Sequence, residues 1–254
     1  MIEENKVDTS KLFEDKAELY ASSRPLYPEA LFDYIAAQVH AKEAAWDCAT
    51  GNGQAAVGLS NIFAKVEATD VSPEQIANAF GSNNVTYSIQ PSEMTSFQDN
   101  QFDLVNVAQA LHWFDYDKYW DEVSRVLKPS GVFVAYSYIW PVVNPAIDGI
   151  VIDRIIKVTE PYWAPNNRLL WNEYKDLKLP FKPLKSPQID IVNHWDAAEF
   201  LNYLHTWSGT RKCIEGIGDI FFEQAAIEIK AAWGDLKQKK VVRNPLVLIA
   251  GKAW

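Results

Sequence analysis

The residues with the clearest chemical meaning lie in 44–59, AAWDCATGNGQAAVGL. An apolar run stops at Asp47, a turn follows with Gly51 and Gly53, and a helix opens near Gln54. Glycine is needed where backbone passes close to a ligand, because a β-carbon would collide with it. A helix that opens inside such a turn offers unpaired N–H groups and the positive end of its dipole. Asp70 ends the next apolar run, 19 residues on from Gly51. An acid about 20 residues after a glycine turn is placed to accept hydrogen bonds from ribose hydroxyls. The pair points to a nucleotide-containing ligand.

Gly51, Gly53 and Ala56 satisfy the loose G-x-G-x-x-G/A pattern, so an NAD-dependent oxidoreductase is one reading. Three features count against it: the acid Asp47 directly before the turn, the polar tip Asn52-Gly53-Gln54, and the elaborated segment AQALHWF at 108–114. His112 and Trp113 fall in that segment, where a parallel sheet exposes its carboxyl ends and ligands bind. His112 is a candidate general base and Trp113 a candidate pocket wall; plain packing accounts for either. A protein that binds its cofactor without catalysis is a further reading.

These residues need a sheet to hold them. Apolar runs at 44–49, 65–70, 85–90, 102–109 and 132–138 predict strands, with helices at 54–63, 73–80 and 116–127 between them. KPSG at 128–131 predicts a turn. Ahead of them come a helix over 10–20 and a second with Pro28 at its first helical position, with Leu31, Phe32, Ile35 and Val39 at helical spacing. Beyond 138 the rhythm changes to a turn and helix over 141–162, then a proline-rich aromatic stretch over 163–187. A strand at 188–193, helices at 197–207 and 217–233, and a closing antiparallel strand at 241–251 complete the chain, with Pro245 arguing against full pairing. The expected fold is α/β: a Rossmann-like, doubly wound, mostly parallel seven-stranded sheet with an antiparallel closing strand and a helical cap. One domain is expected over 1–254, with its cofactor core at 40–139 and cap or lid segments at 10–27, 140–187 and 196–236.

Composition narrows the partners. A net charge of −9 disfavours nucleic acid or an anionic membrane surface. Cys48 and Cys213 form no framework and have no metal-ligand spacing, so no metal is expected and the cytoplasm is the expected compartment. The 10 tryptophans exceed what a core usually asks for and predict an aromatic-lined pocket, with Tyr162, Trp163, Trp171, Trp195, Tyr203 and Trp207 as its candidates. Oligomeric state is open.

WDCATGNGQ, ATD ending at Asp70, PSE at 91–93, FDLVNVAQALHWF and RVLKPSG together resemble the class I S-adenosylmethionine-dependent methyltransferases, through 11–138 and more loosely beyond. YASSRPLYP at 20–28, AQALHW, and LHTWS at 204–208 resemble the small-molecule branch that includes trans-aconitate and cantharidin methyltransferases. The resemblance implies that Gly51 and Gly53 lie along the methionine part of S-adenosylmethionine, with Asp47 and Gln54 beside them. It implies Asp70 on the ribose, Ser92 and Glu93 at the adenine, and the Ala108 carbonyl at the ammonium. Tyr20 and Arg24 fall in the segment that closes over the cofactor, and a guanidinium suits its carboxylate. The family commonly has glycine where this chain has Ala49. The implied chemistry is in-line methyl transfer to a small molecule. A carboxylic acid is ionised at neutral pH and needs no base, with Arg24, Arg168 or Arg211 to hold it. A phenol or amine would need one, and His112 is the candidate.

Overall fold

Runs such as Ala-Ala-Trp-Asp-Cys and Phe-Asp-Leu-Val-Asn-Val-Ala are buried almost from end to end, as strands covered on both faces must be. The computed structural model describes residues 25–254. The helix expected over 10–20, and with it Tyr20 and Arg24, lies outside the described residues.

The described chain opens with α1 (Glu29–Gln38), with Pro28 in extended backbone one place ahead of the helix rather than at its first position, and then alternates. β1 (Ala44–Cys48), α2 (Gln54–Ser60), β2 (Lys65–Asp70), α3 (Pro73–Ala77), β3 (Val85–Ile89), β4 (Phe102–Ala108), α4 (Tyr116–Val126) and β5 (Leu127–Tyr138) follow in order. The five strands pair in parallel in the order β3-β2-β1-β4-β5. The turn expected at 128–131 is instead a bulge at the start of β5. Phe102 pairs with Leu127 but Leu104 with Val132, and Ser130 takes up the slack at φ 64.

After β5 the chain builds a helical layer. α5 (Pro145–Ile150) runs on through a π turn at Val151–Ile156, and α6 (Asn167–Trp171) is followed by two short strands, β6 (Lys182–Pro183) and β7 (Asp190–Trp195). Next come α7 (Ala197–His205), α8 (Ser208–Ile217), α9 (Ile220–Trp233) and the closing strand β8 (Lys240–Lys252). β8 is antiparallel to β5 through its second half and to β7 through its first. Pro245 stands where the partner changes, so a strand containing proline is paired along its length. With β6 the sheet has eight strands, mostly parallel, one more than expected.

Each sheet face carries a core: Leu31, Ile35 and Leu59 on one side, Trp46, Phe102, Tyr119 and Phe133 on the other. A third core, around Ile147, Ile155, Phe200, Leu204 and Trp233, belongs to the helical layer. β1 has β2 on one side and β4 on the other. The connections leaving β1 and β4 therefore diverge, and a crevice opens at their carboxyl ends.

Candidate functional site

The chain leaves β1 through three left-handed residues: Ala49 (φ 54), Gly51 (φ 57) and Gly53 (φ 84). At Gly53 glycine is required twice, because a Cβ would also lie 2.1 Å from the Tyr87 hydroxyl oxygen. At Gly51 the demand is conformational, since a Cβ would meet nothing nearer than 3.7 Å. Ala49 holds the left-handed conformation without glycine, at a cost of about 1–2 kcal/mol. It occupies the position where the resembling family has glycine.

Asp70 fixes the tip of this turn. Its Oδ2 accepts from the Gly51 N–H at 2.8 Å and its Oδ1 from the Ser72 N–H at 2.9 Å. Burial raises its pKa and these amides work against the rise. Asp47 is fully buried and accepts from the Thr50 hydroxyl and from Asn106 Nδ2, the latter at 2.7 Å. Burial pushes its carboxyl up to about 6.

A cavity of about 280 Å³ opens above the turn. Gly51, Gln54, Asp70, Ser92, Glu93 and Ala108, all named as cofactor candidates from the sequence, line it together. Asp47 and Gly53 stand behind the wall: Asp47 reaches it only by holding Thr50, and Gly53 lets the loop press against Tyr87. Gln54 Nε2 donates to the Pro25 carbonyl at 3.2 Å, which ties the loop to the chain entering α1. Glu93 accepts from the Asp115 N–H at 3.2 Å. The loop beyond it is pinned to α4, where Glu122 accepts from the Thr95 N–H and Arg125 Nη1 donates to the Phe97 carbonyl, each at 2.7 Å. Among the described residues the wall carries two carboxylates, Asp70 and Glu93, and no lysine or arginine. Such a wall favours a cation and sets no fixed positive charge against a pyrophosphate.

A second cavity of about 100 Å³ adjoins the first and shares Gln109, Trp113 and Tyr138 with it. Its far side is Trp140, Trp163, Trp171 and Trp207. The Trp140 ring centre lies 5.1 Å from that of Trp207 and 5.7 Å from those of Trp163 and Trp171, so the indoles touch and form one continuous wall. α8 comes close enough to support this wall because of Gly209, where a Cβ would sit 2.1 Å from Trp163 Nε1. Trp163, Trp171, Tyr203 and Trp207 thus line the pocket as expected, and Trp113 divides it from the first cavity. Tyr162 and Trp195 do not line it: Tyr162 packs beneath Gly216, and Trp195 against Tyr203. Arg168 and Arg211 line neither cavity.

His112 is on the second wall, 4% exposed, in a short 3-10 turn after β4. Its Nδ1 is 3.0 Å from the Tyr174 hydroxyl, which is 3.4 Å from Ser137 Oγ. Its backbone carbonyl accepts from Asn166 Nδ2 at 2.9 Å. Burial pushes the imidazole down to about 4, so it is neutral near pH 7. Trp140, Asn166 and Tyr174 carry no sequence signal as site residues, because only the packing of the helical layer brings them here; Ser137 is an ordinary residue of β5 until that layer covers it.

A methyltransferase domain family matches residues 46–135. The chain is 30% identical to a Dictyostelium discoideum protein named as a methyltransferase, over 80% of each. The solved structure of an Anaeromyxobacter dehalogenans protein described as a type II methyltransferase superposes with a TM-score of 0.85 at 34% identity, covering 90% of this chain and 97% of that one. The chain belongs to the class I S-adenosylmethionine-dependent methyltransferases. Geranyl diphosphate C-methyltransferase of Streptomyces coelicolor, solved with S-adenosyl-L-homocysteine, shares the fold at a TM-score of 0.50 and 15% identity, with 97% of each chain covered. The cofactor of the methyltransferase is S-adenosylmethionine. Its sulfonium and ammonium are the kind of charge that a wall with Asp70 and Glu93 attracts, and the Gly51 backbone leaves room for a ligand. No helix among the described residues is long and apolar enough to cross a membrane.

Proposed function

We propose that the methyltransferase acts on a small molecule held in the tryptophan-walled cavity while its cofactor occupies the larger one. The observation that carries this reading is the shared wall. Gln109, Trp113 and Tyr138 border both cavities at the carboxyl ends of β4 and β5, so two ligands would meet there. In this reading the Gly51 backbone, Gln54 and the Ala108 carbonyl hold the methionine part. Asp70 takes the ribose hydroxyls, and Ser92 and Glu93 the adenine. Asp47 and Gly53 shape the loop from behind, and Tyr20 and Arg24 belong to the closing segment. We read 1–254 as one domain, with 40–139 as the core and 140–187 and 196–236 as cap. The acidic composition and the two free thiols favour a cytoplasmic location.

The bound cofactor supplies a methyl group on a sulfonium, already activated for displacement. The protein's task is alignment and exclusion of water. Trp113 sets the divide, the indole wall excludes water, and neutral His112 can accept a proton from an acceptor that carries one. A carboxylic acid would need no base, but no lysine or arginine lines the second cavity among the described residues. That favours an acceptor of little charge over a polycarboxylate. The likeness to the trans-aconitate and cantharidin branch we take as bearing on the cap rather than on the acceptor.

The test is transfer of labelled methyl from S-adenosylmethionine into a cell extract separated by size. Label is expected in the small-molecule fraction, and about tenfold less of it with Trp163→Ala. Label recovered in protein or nucleic acid instead would overturn the reading.

A further inference from the structure

Six non-glycine residues among those described have a positive φ: Ala49, Asn100, Gln109, Ser130, Glu173 and Tyr174. Such strain persists only where the surroundings enforce it, and it gathers at functional sites. Ala49 and Gln109 border the cavities. Glu173 and Tyr174 do not, yet they are adjacent, at φ 54 and φ 52. A helix end commonly asks for one left-handed residue, usually glycine. α6 ends with two, one of them a tyrosine, and the Tyr174 N–H closes back on the Leu169 carbonyl at 2.9 Å. What this conformation delivers is the Tyr174 hydroxyl, buried between His112 Nδ1 and Ser137 Oγ.

Resting on the methyl-transfer reading, we propose that Tyr174 and Ser137 are positioning residues that hold the His112 imidazole in the tautomer with Nε2 available to the second cavity, and that the acceptor is an uncharged phenol on a single flat ring. In the proposed arrangement the Tyr174 hydroxyl, 3.0 Å from His112 Nδ1 and 3.4 Å from Ser137 Oγ, gives its proton to Ser137 and accepts from the His112 Nδ1–H, so that the lone pair is on Nε2. Five of the 10 tryptophans, Trp113 among them, face this one cavity, and indole walls favour a flat ring. A protonated amine would face the like charge of the sulfonium, and a polyanion would find no cation on the described wall.

In the step, an oxygen lone pair of the phenol bonds to the methyl carbon as the carbon–sulfur bond breaks with its pair going to sulfur. The phenol proton passes to His112 Nε2. The site loses the sulfonium charge and gains an imidazolium, so one buried positive charge is present before and after. The titratable groups around His112 are Tyr174 beyond α6, which has Tyr116 of α4 near it, and Tyr138 on β5 and Tyr203 on α7 along the same cavity wall. Its pKa is set by burial alone.

The experiment has two readouts. Nitrogen-15 NMR of the ligand-free protein should show His112 neutral above about pH 5, protonated at Nδ1 and not at Nε2, with that preference lost in Tyr174→Phe. A wild-type imidazole protonated at Nε2 would overturn the proposal. Release of S-adenosylhomocysteine is then followed with monocyclic phenols of graded acidity. His112→Asn should lower kcat about 100-fold for weakly acidic phenols, and progressively less for phenols already ionised at the assay pH. Tyr174→Phe should lower kcat about tenfold with KM unchanged. A loss uniform across the series would make His112 merely structural. Binding of S-adenosylhomocysteine with no phenol turned over would overturn this acceptor class and leave the methyltransferase reading standing. No binding of it would remove that reading too.

Discussion

The two cavities are built on opposite plans. The larger is built mainly by loops at successive strand ends, where Ala49, Gly51 and Ala108 stand beside the carboxylates of Asp70 and Glu93 and rings such as Tyr27 and Phe80 close the sides. The smaller is made by large side chains, with the indoles of Trp140 to Trp207 brought by the helical layer against Trp113 and against Tyr138 of the sheet, and no charged residue among those described. A cofactor of fixed shape can be held by fixed backbone geometry, which a short motif encodes. An acceptor pocket need only be the right shape and polarity, and packing supplies that.

This contrast should survive mutation. Asp70→Ala should weaken S-adenosylmethionine binding about 100-fold, since charged hydrogen bonds are lost and the Gly51 anchor with them. At saturating cofactor the acceptor KM should stay near wild type, and a parallel rise would mean the cavities are not separable. Trp163→Ala should do the reverse, raising the acceptor KM about tenfold with cofactor affinity unchanged. Gly209→Ala should raise it less, by pushing the Trp163 indole off its seat. Adding Gly209→Ala to Trp163→Ala should then cost nothing further in KM, and an additive loss would break the link between α8 and the indole wall. The smallest effect belongs to Ala49→Gly, which relieves a left-handed alanine at some cost in chain entropy. Stability should rise by about 0.5–1 kcal/mol, read as a higher Tm.

The same contrast explains what could be read in advance. The parallel strands, the glycine turn and Asp70 were legible because each rests on a short local pattern, and the wall of the larger cavity follows from them. Asp47 looked like a ligand contact because it closes a strand before the turn. Its full burial and its bonds to Thr50 and Asn106 make it a support. The tryptophan excess did signal an aromatic pocket. Which tryptophans would line it was only partly legible: Trp140 was missed, and Trp195 turned out to pack against Tyr203. α8 was missed because Gly209 and Gly216 make its sequence look like a loop. Those glycines are there so that Trp163 and Tyr162 can lie against it. The turn expected at 128–131 failed because bulged strand and turn share the same residues.

The most direct test of the central claim is calorimetric titration of the purified protein with S-adenosylmethionine, S-adenosylhomocysteine and NADH. Micromolar binding of the first two and none of NADH is the predicted result, with the sulfonium form favoured by the carboxylate-lined wall. Binding of NADH alone would contradict the account and return the glycine turn to the dinucleotide reading.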